Sequence, residues 1–69
     1  MGIGDKLRKA RQEAGLSQAD LAERVYGKRK HQSAISRLER GEQSPSFETL
    51  ERIADALDMD LVVEFRERD

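Results

Sequence analysis

Three glycines, each directly after a short amphipathic segment, constrain the fold of this chain most strongly. Gly15, Gly27 and Gly41 follow apolar residues spaced three and four apart, and glycine is the residue preferred just past the end of a helix. The segments between these glycines have room for helices of only about two to three turns each. The sequence therefore predicts several short helices that stabilise one another by packing.

The starts of these helices are also marked. Ser17 stands three residues before Asp20, a variant of the capping box, and Ser46 precedes another apolar stripe as a candidate N-cap. We expect four helices. The first carries Ile3, Leu7, Ala10 and Ala14 on one face, the second runs from the Ser17 cap to about Tyr26, the third covers about Gln32 to Arg40 with Ala34, Ile35 and Leu38 inward, and the fourth carries Phe47, Leu50, Ile53, Ala54 and Leu57.

Size and composition exclude most enzyme classes. Sixty-nine residues form one small domain, and the absence of cysteine rules out disulfides and thiolate metal sites. A single histidine builds neither a zinc site nor a proton relay, so we expect no catalytic residues, no cofactor and no metal. No apolar run approaches the ~20 residues of a membrane span, and no signal-peptide pattern opens the chain, so we expect a cytoplasmic protein without a membrane partner.

Charge is distributed unevenly along the chain. The net charge is −1, but residues 1–43 hold ten Lys and Arg against six Asp and Glu, whereas residues 44–69 hold three against eight. A basic first part indicates a surface that meets a polyanion, although a mixed surface arising by chance is the alternative. The third helix sharpens the first interpretation, because its polar face contains Ser33, Ser36, Arg37 and Arg40 and no acidic residue. In a helix-turn-helix protein, the second helix of the motif enters the major groove of DNA with such a polar face. The third helix of this chain would take that place.

Three motifs carry a resemblance to a known family. They are LSQADLAERV (16–25), QSAISRLERGE (32–42) and PSFETL (45–50). The chain resembles, over about residues 4–60, the Cro and repressor (XRE-like) helix-turn-helix proteins. The resemblance implies an all-α, lambda-repressor-like domain of four to five helices that binds double-stranded operator DNA as a homodimer in a bacterium or phage.

The resemblance also implies roles for individual residues. Base contacts would come from Gln32, Ser33 and Arg37, and Ser36 would contact a base or a phosphate. Phosphate contacts would come from Gln18, which also orients Gln32, and from the loop residues Gln43, Ser44 and Ser46. Arg40, on the polar face of the third helix, is a further candidate for a phosphate contact. Arg11 and Glu39 match a partly buried, structural ion pair.

The connection between the second and third helices departs from the family pattern by three extra residues. Val25 and Ile35 lie ten positions apart where the family has seven, and His31 replaces the usual Ser or Thr cap. The insertion brings Lys28, Arg29 and Lys30 next to the expected DNA face. We interpret these cations as phosphate contacts; a solvated loop is the alternative.

The end of the chain departs as well. Apolar residues alternate in a β-branched run, which is a strand signal: Leu61, Val63 and Phe65, with Val62 between them. A lone strand needs a partner, and pairing with a second copy supplies one. We therefore divide the chain into a DNA-binding domain, 1–60, and a dimerisation strand, 61–69; a fifth helix is the alternative.

These observations predict a transcriptional repressor or autoregulator that binds a pseudo-palindromic operator as a homodimer. The strand ending also resembles that of antitoxins of the same class. The alternative function is therefore an antitoxin that neutralises a partner toxin and uses DNA binding for autoregulation.

Overall fold

The computed structural model describes residues 2–63 and 65–68, and the regular elements in that part of the chain are helices. Four α-helices follow one another, with a single turn of 3₁₀ helix between the second and third. Their bounds are α1 Ile3–Glu13, α2 Gln18–Tyr26, the 3₁₀ turn Arg29–His31, α3 Gln32–Glu39 and α4 Phe47–Ala56. The expected all-helical domain with four helices is confirmed.

Local signals set these bounds. The Ser17 hydroxyl accepts a hydrogen bond from the Asp20 amide at 3.0 Å, and the Asp20 carboxylate accepts one from the Ser17 amide at 2.9 Å, which completes the predicted capping box. Ser46 caps α4 by accepting from the Thr49 amide at 3.1 Å. Gly27 ends α2 at φ +82°, a left-handed conformation in which a Cβ would be strained. Gly15, after α1, and Gly41, after α3, also have left-handed backbone conformations.

The core lies where α1, α2, α3 and α4 meet. Leu21, Ala22 and Ile35 are fully buried, and Leu7, Leu38 and Ile53 are nearly so. Phe47, which the sequence places in the apolar stripe of α4, is not buried with the rest of that stripe, because its side chain is 57% exposed. Phe47 is the first residue of α4, and burial increases along the helix to the partly buried Leu50 and the buried Ile53.

The tail corrects another expectation. Residues 61–63 and 65–68 lie in neither a helix nor a strand, so both the predicted strand and the alternative fifth helix are absent from the described tail; Glu64 lies outside the described residues. A strand is stable only beside a neighbour that accepts its hydrogen bonds, and one all-helical chain offers none. Leu61 is partly buried, whereas Val62, Val63 and Phe65 are 73%, 59% and 101% exposed.

The approach of α1 to α3 depends on a residue that the sequence pattern did not single out. Gly4 is buried in the first turn of α1, and a Cβ there would lie 2.5 Å from the carbonyl oxygen of Glu39 and 2.6 Å from that of Leu38. These are backbone atoms at the end of α3, so they cannot rotate away. Only glycine allows the two helices to pack this closely.

We expect Gly4→Ala to destabilise the domain by about 1–3 kcal/mol, the usual cost of overpacking a core. Alanine is the better helix former by up to ~1 kcal/mol, but the backbone clash outweighs that gain. Thermal unfolding followed by circular dichroism measures the effect, with Lys9→Ala, an exposed change in the same helix, as the control. Equal melting temperatures for Gly4→Ala and wild type would contradict the close packing of α1 on α3.

Candidate nucleic-acid interface

The exposed side of α3 carries polar and cationic side chains, and the opposite side anchors the helix. Ile35 and Leu38 are buried, whereas Gln32, Ser33 and Arg37 are exposed. Ser36 is partly buried, so it lies closer to the packed side than the sequence pattern indicated. Within the described residues, no side-chain hydrogen bond or ion pair engages the Arg37 guanidinium, which leaves its donors available to a ligand.

The three inserted residues shape the start of α3. The 3₁₀ turn Arg29–His31 runs directly into the helix, and the backbone amide of Gln32 donates to the carbonyl of Arg29. The amide of His31 donates to the carbonyl of Lys28 at 3.2 Å. His31 makes no side-chain capping bond, and the inserted turn instead supplies backbone acceptors for the His31 and Gln32 amides. The inserted residues therefore form an ordered turn that is exposed to solvent, and their phosphate contacts stay a prediction.

A hydrogen bond joins the start of α2 to the start of α3. The Nε2 of Gln32 donates to the Oε1 of Gln18 at 3.4 Å, which brings together the two residues that the resemblance paired. The Nε2 of Gln18 in turn donates to the Oε1 of Glu39 at 3.2 Å. Sequence reasoning missed this second contact, because no spacing rule connects positions 18 and 39.

Glu39 is the buried centre of a charged cluster. Its side chain has no exposed surface and accepts two hydrogen bonds from Arg11, Nε to Oε2 at 2.6 Å and Nη2 to Oε1 at 3.0 Å. The Nε of Arg8 donates to Oε1 at 3.4 Å, a contact that the sequence did not predict. The Nη1 of Arg11 donates to the carbonyl of Leu16 at 2.8 Å, so this side chain also ties α1 to the start of α2.

Burial and hydrogen bonding oppose each other in setting the pKa of Glu39. Burial raises this pKa, but the hydrogen bonds from Arg11 and Gln18 and the charge of Arg11 outweigh it, so the pKa lies below its usual range. The hydrogen bond with Glu39 raises the pKa of Arg11. The pair is therefore ionised at neutral pH.

The inserted cations differ in their surroundings. Arg29 donates from Nη1 to Oδ1 of Asp20 at 2.6 Å, whereas Lys28 and Lys30 are exposed and make no ion pair within the described part of the chain. The bond from the Ser17 amide, followed by that from Arg29, lowers the pKa of Asp20 to about 2. Arg29 therefore braces the inserted turn against the α2 cap, and its charge is already partly compensated.

The loop after α3 lies beside the inserted turn. Gln43, Ser44 and Ser46 are exposed, and with Tyr26 and His31 they line a shallow cavity of about 270 Å³. The hydroxyl of Ser46 is already used in capping α4, and the Nε of Arg40 pairs with Glu42 at 2.6 Å. Of these loop residues, Gln43 and Ser44 have side chains that make no hydrogen bond to any other residue in the described part of the chain.

Comparison with known proteins decides the family. A model of the helix-turn-helix family matches residues 7–63, which is most of the chain. The chain belongs to the Cro-type helix-turn-helix family. No curated protein and no solved structure gives a significant match.

Membership of the Cro-type helix-turn-helix family makes this chain a DNA-binding transcription regulator in the general sense. The family is one of DNA-binding regulatory domains and not of enzymes. In the part of the chain that the structure describes, no helix is long and apolar enough to cross a membrane. No group of three His, Cys, Asp or Glu within 2–63 and 65–68 is arranged to hold a metal ion.

Proposed function

We propose that the chain is a sequence-specific transcriptional repressor or autoregulator that reads operator DNA with α3. The observation that carries this proposal is the exposed face of α3, where Gln32, Ser33 and Arg37 lie opposite the buried Ile35 and Leu38. Gln can pair with the two polar groups of adenine and Arg with the two acceptors of guanine, while Ser adapts to either. Ser36 contributes from the edge of the same face.

Phosphate contacts surround this face in the proposed complex. Gln18 lies at the first turn of α2, where backbone amides favour a phosphate, and Gln43 and Ser44 approach the backbone beyond α3. Lys28 and Lys30, which form no ion pair among the described residues, add positive charge next to the start of α3. Arg29, Arg40 and Ser46 join these contacts only by giving up or sharing the bonds described above.

The proposed unit is a homodimer, with residues 1–60 binding DNA and residues 61–69 joining two copies. Support comes from Val62, Val63 and Phe65, whose apolar side chains a single chain leaves exposed. Ribbon pairing of two tails across a two-fold axis would satisfy their backbone groups and cover these side chains. An antitoxin role would use the same tail to bind a second protein. Co-purification of one partner protein that is lost when residues 61–69 are removed would replace the dimer proposal.

Selection of wild-type binding sites from random duplex DNA tests the proposed function. We expect a pseudo-palindrome whose half-sites are about 34–36 Å apart, one helical turn, because two α3 helices related by a two-fold axis enter successive major grooves. Footprinting on the selected site provides the spacing independently. A single asymmetric half-site would count against the symmetric dimer, and no enrichment at all would refute sequence-specific binding.

Replacing Lys28 and Lys30 together with Ala should weaken binding to every sequence about equally. Each lost phosphate contact lowers the slope of log affinity against log salt by close to one unit, so we expect a change of about two units. Arg29→Ala should change the slope less, since Arg29 is paired with Asp20 at 2.6 Å. Titrations at several salt concentrations measure both. An altered base preference with an unchanged slope would show that the inserted turn positions α3 instead.

A further inference from the structure

A continuous line of hydrogen bonds leads from the buried charged cluster to the start of α3. The carboxylate Oε1 of Glu39 accepts from Gln18 Nε2 at 3.2 Å, and Gln18 Oε1 accepts from Gln32 Nε2 at 3.4 Å. Glu39 has no exposed side-chain surface, Gln18 is partly buried and Gln32 is exposed. The line therefore starts in the core and ends at the surface that faces DNA in the proposed function.

The Glu39 carboxylate fixes which atoms donate and which accept along this line of hydrogen bonds. An ionised carboxylate only accepts hydrogen bonds, whereas a glutamine amide offers an acceptor oxygen and a donor nitrogen of nearly the same shape. Gln18 must therefore turn its NH₂ group toward Glu39 and its oxygen toward Gln32. Two glutamines alone could pair in either orientation; beside Glu39 only one orientation satisfies both bonds.

The direction determines what Gln32 presents. One N–H of Gln32 is used on Gln18, which leaves its oxygen and its second N–H side by side. An acceptor next to a donor matches the exposed N6 and N7 of adenine. In the reversed orientation the Gln32 oxygen would face Gln18 and both N–H groups would point outward, which matches the two acceptors of guanine.

We infer that Glu39, acting through Gln18, fixes which edge of the Gln32 amide faces the DNA and is therefore a positioning residue for base readout. This inference rests on the proposed function and adds to it a buried residue, Glu39, that determines base specificity through Gln18. Glu39 contacts no DNA in this arrangement.

The contact between Gln18 and Glu39 is separable from the ion pair. Arg11 alone donates to both carboxylate oxygens of Glu39, at 2.6 Å and 3.0 Å, and Arg8 adds a third contact. The charge of Glu39 is thus compensated without Gln18. Gln18→Leu consequently cuts the line while leaving the charged cluster intact.

The test compares binding-site selections for wild type, Glu39→Gln and Gln18→Leu, with Gln32→Ala locating the base that Gln32 reads. In Glu39→Gln the side chain at position 39 can donate as well as accept, so both orientations of Gln18 become available. We expect the preference for adenine over guanine at the Gln32 position to fall by about fivefold or more, the low end of the discrimination of a bidentate contact. Gln18→Leu should lower the same preference, while preference at the Arg37 position stays within about twofold in both variants.

Glu42→Gln is the matched control, because it neutralises an exposed glutamate in the loop that follows α3 and leaves the hydrogen bonds of Glu39, Gln18 and Gln32 intact. Melting curves identify variants that fold, and Gln18→Leu keeps the test decisive if Glu39→Gln does not fold. Side-chain amide resonances of Gln18 in the DNA-free protein should shift in Glu39→Gln and not in Glu42→Gln.

The outcomes separate this inference from the function on which it rests. An unchanged preference at the Gln32 position in a folded Glu39→Gln or Gln18→Leu variant would overturn the positioning role. A base other than adenine at that position in the wild-type selection would overturn the direction of the line. If wild type enriches no sequence, the proposed function itself fails.

Discussion

Arg11→Met should destabilise the domain more than any other single change considered above, by about 3–5 kcal/mol. The substitution removes the main partner of Glu39 and leaves a carboxylate with no exposed surface that keeps only the longer contacts with Arg8 at 3.4 Å and Gln18 at 3.2 Å. A loss of this size is the usual cost of breaking a buried ion pair. A domain of this length has a free energy of unfolding of roughly 3–10 kcal/mol, so a large unfolded fraction is expected at 25 °C. Urea or thermal unfolding followed by circular dichroism measures the loss.

Two further variants isolate the cause of that loss. Arg52→Met breaks the exposed pair with Glu48 on α4 and should cost only about 0.3–0.5 kcal/mol. Arg11→Met combined with Glu39→Leu removes both charges and should recover most of the stability, since a buried pair can be replaced by apolar side chains at little cost. If the single variant unfolds at the wild-type temperature, the buried cluster does not hold α1 on α3.

Removal of residues 61–69 should have the largest effect on DNA binding. By light scattering, we expect the full-length protein to be a dimer, with twice the 7.9 kDa mass of one chain, and the shortened protein to be a monomer. Each half-site then binds separately, and the loss of linkage between two binding events lowers operator affinity by about 10²-fold or more.

Substitutions within the tail distinguish a specific interface from a general effect of shortening. Val63→Ser with Phe65→Ser should shift the chain toward monomer, because both side chains are exposed in the single chain and apolar. Glu67→Ser, in the same exposed segment, should leave the mass unchanged. A full-length chain that is monomeric and still binds its operator tightly would contradict the ribbon dimer.

Local signals explain how much of the fold the sequence predicts. The Ser17 cap, the Ser46 cap and Gly27 act within a few residues of the helix ends that they set, so their positions can be read from spacing alone. The exposed face of α3 can be predicted in the same way. Because Ile35 is buried, residues on the opposite side of the helix axis must face outward.

Contacts between distant segments explain the rest. The bond of Asp20 to Arg29 crosses the insertion, and Gly4 is required by carbonyl groups of α3, so neither follows from periodicity. The strand expected at Leu61–Arg66 depends on a neighbour that one chain does not contain, and the described tail therefore has no regular structure. Alternation of apolar residues predicts which side chains would share one face of a strand. Whether the strand forms depends on a neighbouring strand, which the alternation does not reveal.

In the proposed complex, α3 reads bases through Gln32 and Arg37. Arg37 lies five residues beyond Gln32, about 7.5 Å along the helix axis, which places the two side chains over different base pairs. The direct test is selection from random duplex DNA with Gln32→Ala, Arg37→Ala and, as a control, Arg52→Ala, an exposed arginine of α4. Each of the first two variants should lose about 1–3 kcal/mol on the wild-type site and relax preference at one position per half-site, a different position for each, with wild-type melting temperatures. Affinity lost equally on all sequences, or preference retained at every position, would contradict the assignment of α3 as the helix that reads the operator.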